Sequence, residues 1–436
     1  MQIRGKRVLT ALSLTAAMVS LGGCSRKMLN YQVAECIGTL GQYENNEPVE
    51  TPKMKAEREQ KESEEAQENA RQKLLDQAAE LASGHWYEEA AALLEGAEEL
   101  QTDERAKDAI KEYQNKLSTM FEYKDDVGHL SFTNLVVDTD RAFDGDEYAK
   151  IYEQNMITLQ EFQSILEELY KNGYLLVDLH TLAQESKMGS DVELTAAKLM
   201  IPQGRKPLVL SIENLNYASV RNGDGVATRL TIDENGEVAA VYTDSEGHDL
   251  TGAYDIVPVL EQFIEEHPDF SFRGARGIIS LSGQNGAFGY QVGDGEESGF
   301  EENEAQVKAI AQKLLEDGWS FASAGYSNSY MGKMNYETLR EDITKWQDSI
   351  GRLIGACDTL IYPYGSEVSY ETEKAVFLTG QGYHYLIGLW PDGDHVEVNE
   401  TYLRQTRRSV IGYIFEKYPN ILDTYFRASV IKDPAR

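Results

Sequence analysis

The chain is poor in the residues on which most catalytic chemistry is built. Of 436 residues only 3 are cysteine and 7 are histidine. Cysteine ligation of a metal needs closely spaced pairs, and Cys24, Cys36 and Cys357 form none. A disulfide between Cys36 and Cys357 is not expected, because the first lies in a tether and the second in a folded region. No G-x-S-x-G elbow, P-loop or H-E-x-x-H is present, so the common serine-hydrolase, nucleotide and zinc-helix signatures are absent. Basic charge is scarce too. Lys and Arg number 41 against 73 Asp and Glu, a formal net charge of -32. Such a surface lacks the basic footprint that nucleic acid or anionic lipid requires.

What is present begins at the N-terminus. "MQIRGKRVLTALSLTAAMVSLGGCS" has a basic start (Arg4, Lys6, Arg7) and an apolar run too short to span a bilayer. Residues 1–23 therefore read as a signal peptide. The L-G-G-C ending resembles the lipobox of bacterial lipoproteins, which implies lipidation at Cys24 and an extracytoplasmic chain anchored to the cell membrane.

Residues 24–60 are polar and acidic and read as a flexible tether that becomes helical. Residues 61–122 are rich in Ala, Glu, Lys and Leu without proline, with a break at Gly84, and predict a helical hairpin. The hairpin resembles one tetratricopeptide unit. One copy cannot build a solenoid, so a stalk packed on the next domain is expected, with a protein partner as its other use.

From residue 125 to 433 strands and helices alternate. Strands are expected at 129–137, 174–179, 277–282, 319–325, 359–365 and 383–390, and at "PLVLSIEN". Amphipathic helices lie between them, one opened by a Thr158–Glu161 capping box. The alternation predicts an α/β fold, a distorted β/α barrel preceded by the helical hairpin. An insertion at 221–253 carries a β-hairpin signature around Glu-Asn-Gly. Chemistry in such barrels sits at the C-terminal strand ends, here Ser211–Asn214, Ser323–Asn328, Pro363–Gly365 and Leu389–Trp390.

Taken in order, "LSIEN", "WSFASAGYSN" and "IYPYG" resemble the strand-end motifs of the polysaccharide deacetylase family of carbohydrate esterases, over roughly residues 127–415. The resemblance implies a metal-dependent N-deacetylase of chitin-type or peptidoglycan sugars. It places Glu213 at the base position, Asn214 at the metal carboxylate, and Ala324 and Asn328 at the two metal histidines. Ala324 has no donor atom, and the two amides offer only neutral oxygens, so no metal or other cofactor is expected. The family's base-orienting arginine falls at Ile361, and its late general-acid histidine has no counterpart. Pro363, Tyr364 and Gly365 keep the third loop, with the Tyr364 N–H as an oxyanion donor. A replacement metal site from His395, Asp392 or Asp394 is a minor alternative to a solvated loop.

Tyr217, Tyr326, Tyr330, Tyr362, Tyr364 and Trp390 cluster near these ends, as sugar-stacking rings would. "YLRQTRRSV" places Arg404 and Arg408 on one strand face and Arg407 on the other; an inward arginine would pair with Glu213 or bind an anion. Arg404 is taken as a binding residue. The expected function is a surface-anchored, deacetylase-like lipoprotein without catalysis that binds cell-wall or exported glycan such as peptidoglycan. The alternatives are an active hydrolase using Glu213 and an envelope scaffold working through the hairpin.

Overall fold

The computed structural model describes residues 50–188, 191–293, 298–389 and 393–436. The signal peptide, Cys24 and Cys36, as well as Trp390 and Asp392, lie outside the described residues. Among the described residues no helix is long and apolar enough to cross a membrane.

Helix α1 (Pro52–Ser83) begins inside the stretch read as tether. Its residues through Ala70 are exposed, and its charges pair along the surface, as in Lys53–Glu57 and Lys55–Glu59. Of the two compact units of the chain, the larger is Ser63–Arg436. Within it α1 continues into α2 (Tyr87–Glu95) and α3 (Glu104–Ser118), so three helices stand where two were expected. The break is at Gly84 as predicted. His85 there takes a left-handed backbone (φ 68°). Its ring nitrogens meet the Tyr87 hydroxyl at 3.0 Å and the Asp269 carbonyl at 2.9 Å. The Arg273 N–H donates to the Gly84 carbonyl, and its guanidinium lies over Trp86. The turn is thus packed against the barrel.

The barrel has seven strands: β1 (Gly128–Phe132), β2 (Lys206–Ile212), β3 (Ile278–Leu281), β4 (Ser320–Ser323), β5 (Thr359–Ile361), β6 (Tyr385–Leu389) and β7 (Leu403–Ser409). Neighbours pair in chain order, and Arg408↔Leu130 joins β7 back to β1. All seven pairings are parallel, so the sheet is a closed barrel without edges, as the alternation predicts. Helices α4 (Leu159–Lys171), α5 (Ile256–Glu266), α6 (Glu301–Asp317), α7 (Tyr336–Trp346) and α8 (Glu373–Gly380) surround it. The capping box opens α4: Thr158 N–H donates to Glu161 at 2.8 Å and Glu161 N–H to the Thr158 hydroxyl at 3.1 Å.

Three differences from expectation are instructive. The strand predicted at 174–179 covers only Tyr174–Leu176 and lies outside the ring, against the first half of β2; β3 takes the second half. The ring is closed by β7, not by residues 383–390. The insertion is a three-stranded antiparallel meander (Ala227–Ile232, Val238–Thr243, Asp249–Gly252) rather than a hairpin.

Strand alternation divides the core in two. Leu208, Leu210 and Ile212 of β2 face the helices with Phe162, Ile165 and Leu260. Val209 faces inward with Ile278, Ala322, Ile361 and Leu403.

Candidate functional site

The inward register of β2 runs Val209, Ser211, Glu213. The first residue belongs to the apolar interior. The second begins a polar layer: Ser211 Oγ lies 2.8 Å from His129 Nε2, and His129 Nδ1 lies 3.0 Å from Gln405 Oε1. All three side chains are buried. Burial, helped by the Arg407 charge, pushes the His129 pKa down to about 3, so its imidazole is neutral. Glu213 caps this stack at the barrel mouth, its N–H donating to Phe132 at 2.7 Å.

Arg407 reaches Glu213 from across the ring. Its Nε donates to Oε1 at 2.7 Å and its Nη2 to Oε2 at 3.1 Å. Nη1 donates to the carbonyls of Ile387 (3.2 Å) and Gly388 (2.9 Å), and Nη2 also to Tyr362 (3.0 Å). These five bonds use every N–H of the guanidinium. The Arg407 side chain is 1% exposed and that of Glu213 18%. Burial works to raise the Glu213 pKa, but the Arg407 charge and hydrogen bonds overcome it and hold the carboxyl below its ordinary value. Glu213 is therefore ionised and oriented.

The other strand ends surround this pair. Asn214 (φ 58°) follows β2, Asn328 (φ 47°) follows β4, and Tyr364 (φ 56°) follows β5. With Tyr217 (φ 53°), and Asn285 (φ 63°) and Phe288 (φ 55°) after β3, six of the eight non-glycine residues of positive φ among the described residues follow these strand ends. Left-handed backbone is unfavourable for non-glycine residues and concentrates at functional sites, so this marks the mouth independently of any motif. The side-chain oxygens of Asn214 and Asn328 are buried without hydrogen-bond partners. Ala324 is 3% exposed. Two amides and a methyl do not fit a zinc-type ion: the set carries no imidazole, thiolate or carboxylate. Among the described residues no group of three or more His, Cys, Asp or Glu is placed to hold a metal.

Pro363–Gly365 forms a tight turn after β5. Its closing hydrogen bonds run from Gly365 N–H to Tyr362 and from Ser366 N–H to Pro363, and neither uses the Tyr364 N–H. Tyr364 projects outward and stacks on Tyr330, ring centroids 4.7 Å apart at 25°. Tyr326 is partly buried, its N–H held by Asp342 at 2.9 Å. Tyr217 and Tyr362 are core residues, not exposed rings.

The three arginines of β7 each have their own carboxylate. Arg404, on the outward face, pairs with Glu367 at 2.6 Å, and Arg408 pairs with Asp394 at 3.0 Å. The inward arginine is Arg407, so Arg404 is not the residue that meets Glu213. His395 lies 3.7 Å from Asp126, apart from the occupied Asp394 carboxylate. Ile361 is buried in the interior, and the guanidinium at the base position comes from β7 instead. Period-two alternation along Leu403–Ser409 is the sequence signal for Arg407. The same rule applied to β1 places His129 inward with Ser131.

The fold and rim define an α/β barrel with a polar mouth. No family model matches the chain, and no curated protein does. Among solved structures it is similar to a Streptococcus pyogenes deacetylase, PplD, in complex with acetate. That similarity has a TM-score of 0.36 at 9% identity, covering 67% of this chain and 95% of that one.

Proposed function

We propose that the protein is a lipoprotein, anchored through Cys24 to the outer face of the membrane, whose barrel mouth binds cell-wall or exported glycan without hydrolysing it. The observation that carries the reading is the donor set beside Glu213: Asn214, Ala324 and Asn328 bring no imidazole, thiolate or carboxylate. A general base must take a proton from water, so it needs a pKa near the working pH and a free lone pair. Glu213 has a depressed pKa, which makes it a weak base, and Arg407 takes one lone pair of each of its oxygens. Beside it, Asn214, Ala324 and Asn328 replace the ligands that would polarise an acetamide carbonyl. Glycan binding draws its support from the exposed Tyr330–Tyr364 stack, since aromatic faces suit sugar rings.

One feature favours a hydrolase: the Tyr364 N–H stands outside the turn's own hydrogen bonds, where an oxyanion donor would stand. A pull-down on insoluble peptidoglycan and chitin tests the binding reading. The full chain is expected to be retained and Tyr364→Ala to be washed off. Equal retention of the two proteins would place the binding elsewhere.

A further inference from the structure

Among the described residues five aromatic side chains are exposed: Phe121, Tyr330, Tyr364, Tyr413 and Tyr418. The last four all lie in segments that leave the C-terminal ends of barrel strands. Tyr330 follows β4, Tyr364 follows β5, and Tyr413 and Tyr418 follow β7. They form two pairs. Tyr330 and Tyr364 stack with ring centroids 4.7 Å apart. Tyr413 and Tyr418, 39% and 52% exposed, meet edge to face with centroids 5.8 Å apart. Scattered surface rings need no explanation, but exposed rings gathered on one rim point to a ligand.

Both pairs start close to Glu213 and Arg407. The carbonyl of Tyr362, two residues before Tyr364, accepts from Arg407 Nη2 at 3.0 Å. On the β7 side, the Val410 N–H donates to the Ser131 carbonyl at 2.8 Å, and the next carbonyl of β1, Phe132, takes the Glu213 N–H at 2.7 Å. Tyr413 follows Val410 by three residues. A residue adds at most about 3.6 Å of chain, so Tyr364 lies within about 7 Å of Tyr362 and Tyr413 within about 11 Å of Val410. The two pairs thus stand on one rim around the ion pair. One is carried by β4 and β5 and the other by β7, with β6 between.

Each pair is also held in place. Gly332 N–H donates to Ser366 at 2.8 Å, which ties the loop that carries Tyr330 to the loop that carries Tyr364. Helix α9 (Gly412–Lys417) carries Tyr413 and packs on the helix Ala149–Asn155. A Cβ on Gly412 would run into the Glu153 carbonyl, so this close approach requires glycine. A ligand laid across such rings would order little that is not already fixed.

We propose that the mouth binds an interior stretch of an extended glycan, which crosses the Glu213–Arg407 pair with one sugar on the Tyr330–Tyr364 stack and a later sugar on Tyr413 and Tyr418. This rests on the glycan-binding reading and narrows it to polymers long enough to touch both pairs. Titration of the full chain with the N-acetylglucosamine dimer and hexamer tests it. The hexamer is expected to bind more tightly than the dimer. Tyr413→Ala with Tyr418→Ala should weaken the hexamer roughly 3- to 10-fold. The dimer, which reaches one pair at a time, should keep its affinity through the remaining Tyr330–Tyr364 stack. Phenylalanine at both positions should preserve hexamer binding, because the ring face makes the contact. Both rings are exposed, so an unchanged melting temperature checks that the double variant folds. A hexamer unaffected by the double substitution, or a dimer weakened as much as the hexamer, overturns this proposal and leaves glycan binding at a single pair standing. Binding of neither saccharide by the unaltered chain overturns both.

Discussion

Arg407 makes the barrel mouth what it is. A guanidinium that is 1% exposed loses its hydration, and only full saturation by acceptors offsets that cost. Glu213 supplies two of the five acceptors and the only negative charge among them. Removing either partner leaves the other buried and unpaired, a loss of about 3–5 kcal/mol. A urea-denaturation cycle tests this: Glu213→Ala and Arg407→Ala should each lower stability by that order, while Glu213→Leu combined with Arg407→Met should recover most of it. Additive losses in the double variant would mean that the two side chains do not depend on each other. Sequence alternation places Arg407 inward, but only the closed ring places it opposite Glu213. The two residues are 194 positions apart, and their meeting depends on β7 pairing back to β1.

Two histidines tie elements together and titrate in opposite senses. His129 joins β1 to β2 and β7 through Ser211 and Gln405. Its folded pKa, about 3, lies below the ordinary 6.5. The unfolded chain therefore binds the proton first, and stability falls as pH drops from 6.5 toward 3. His180 lies at the opposite rim between Asp178 (2.7 Å) and Asp358 (2.9 Å), just before β5. Burial opposes its charge, but the two carboxylates prevail and raise its pKa to about 10. The stability it contributes is complete below 6.5 and is lost as pH rises toward 10. Each slope is about 1.4 kcal/mol per pH unit. Melting temperature is thus expected to peak near pH 6.5. His180→Asn should flatten the alkaline limb and His129→Asn the acid one; a limb unchanged by its substitution would remove that histidine from the account. The elements themselves were largely legible. Period-two runs and capping signals located the barrel strands and α4, because each depends on local pattern. The strand at Tyr174–Leu176 was misplaced because exclusion from the ring depends on how the seven residues of β2 divide between two neighbours. The third strand of the meander carries too few apolar residues, Asp249–Gly252, to announce itself.

At the scale of the molecule, the two ends of the barrel carry different features. The helical turn at Gly84–Trp86 meets the segment that precedes β3, through Asp269 and Arg273. The Tyr330–Tyr364 stack and Glu213 stand at the other rim, after β2, β4 and β5. The candidate site was legible at Glu213, Asn214, Ala324 and Asn328 because motif order and strand ends are sequence properties. The neutralised charge of Glu213 was not, because it follows from which side chains the fold brings near. Acetate release from the N-acetylglucosamine hexamer tests most directly whether the mouth binds glycan without cleaving it. The full chain, with and without added Zn²⁺, is predicted to release no acetate above a heat-denatured control. Sustained release that Glu213→Gln abolishes would contradict the account and establish a hydrolase.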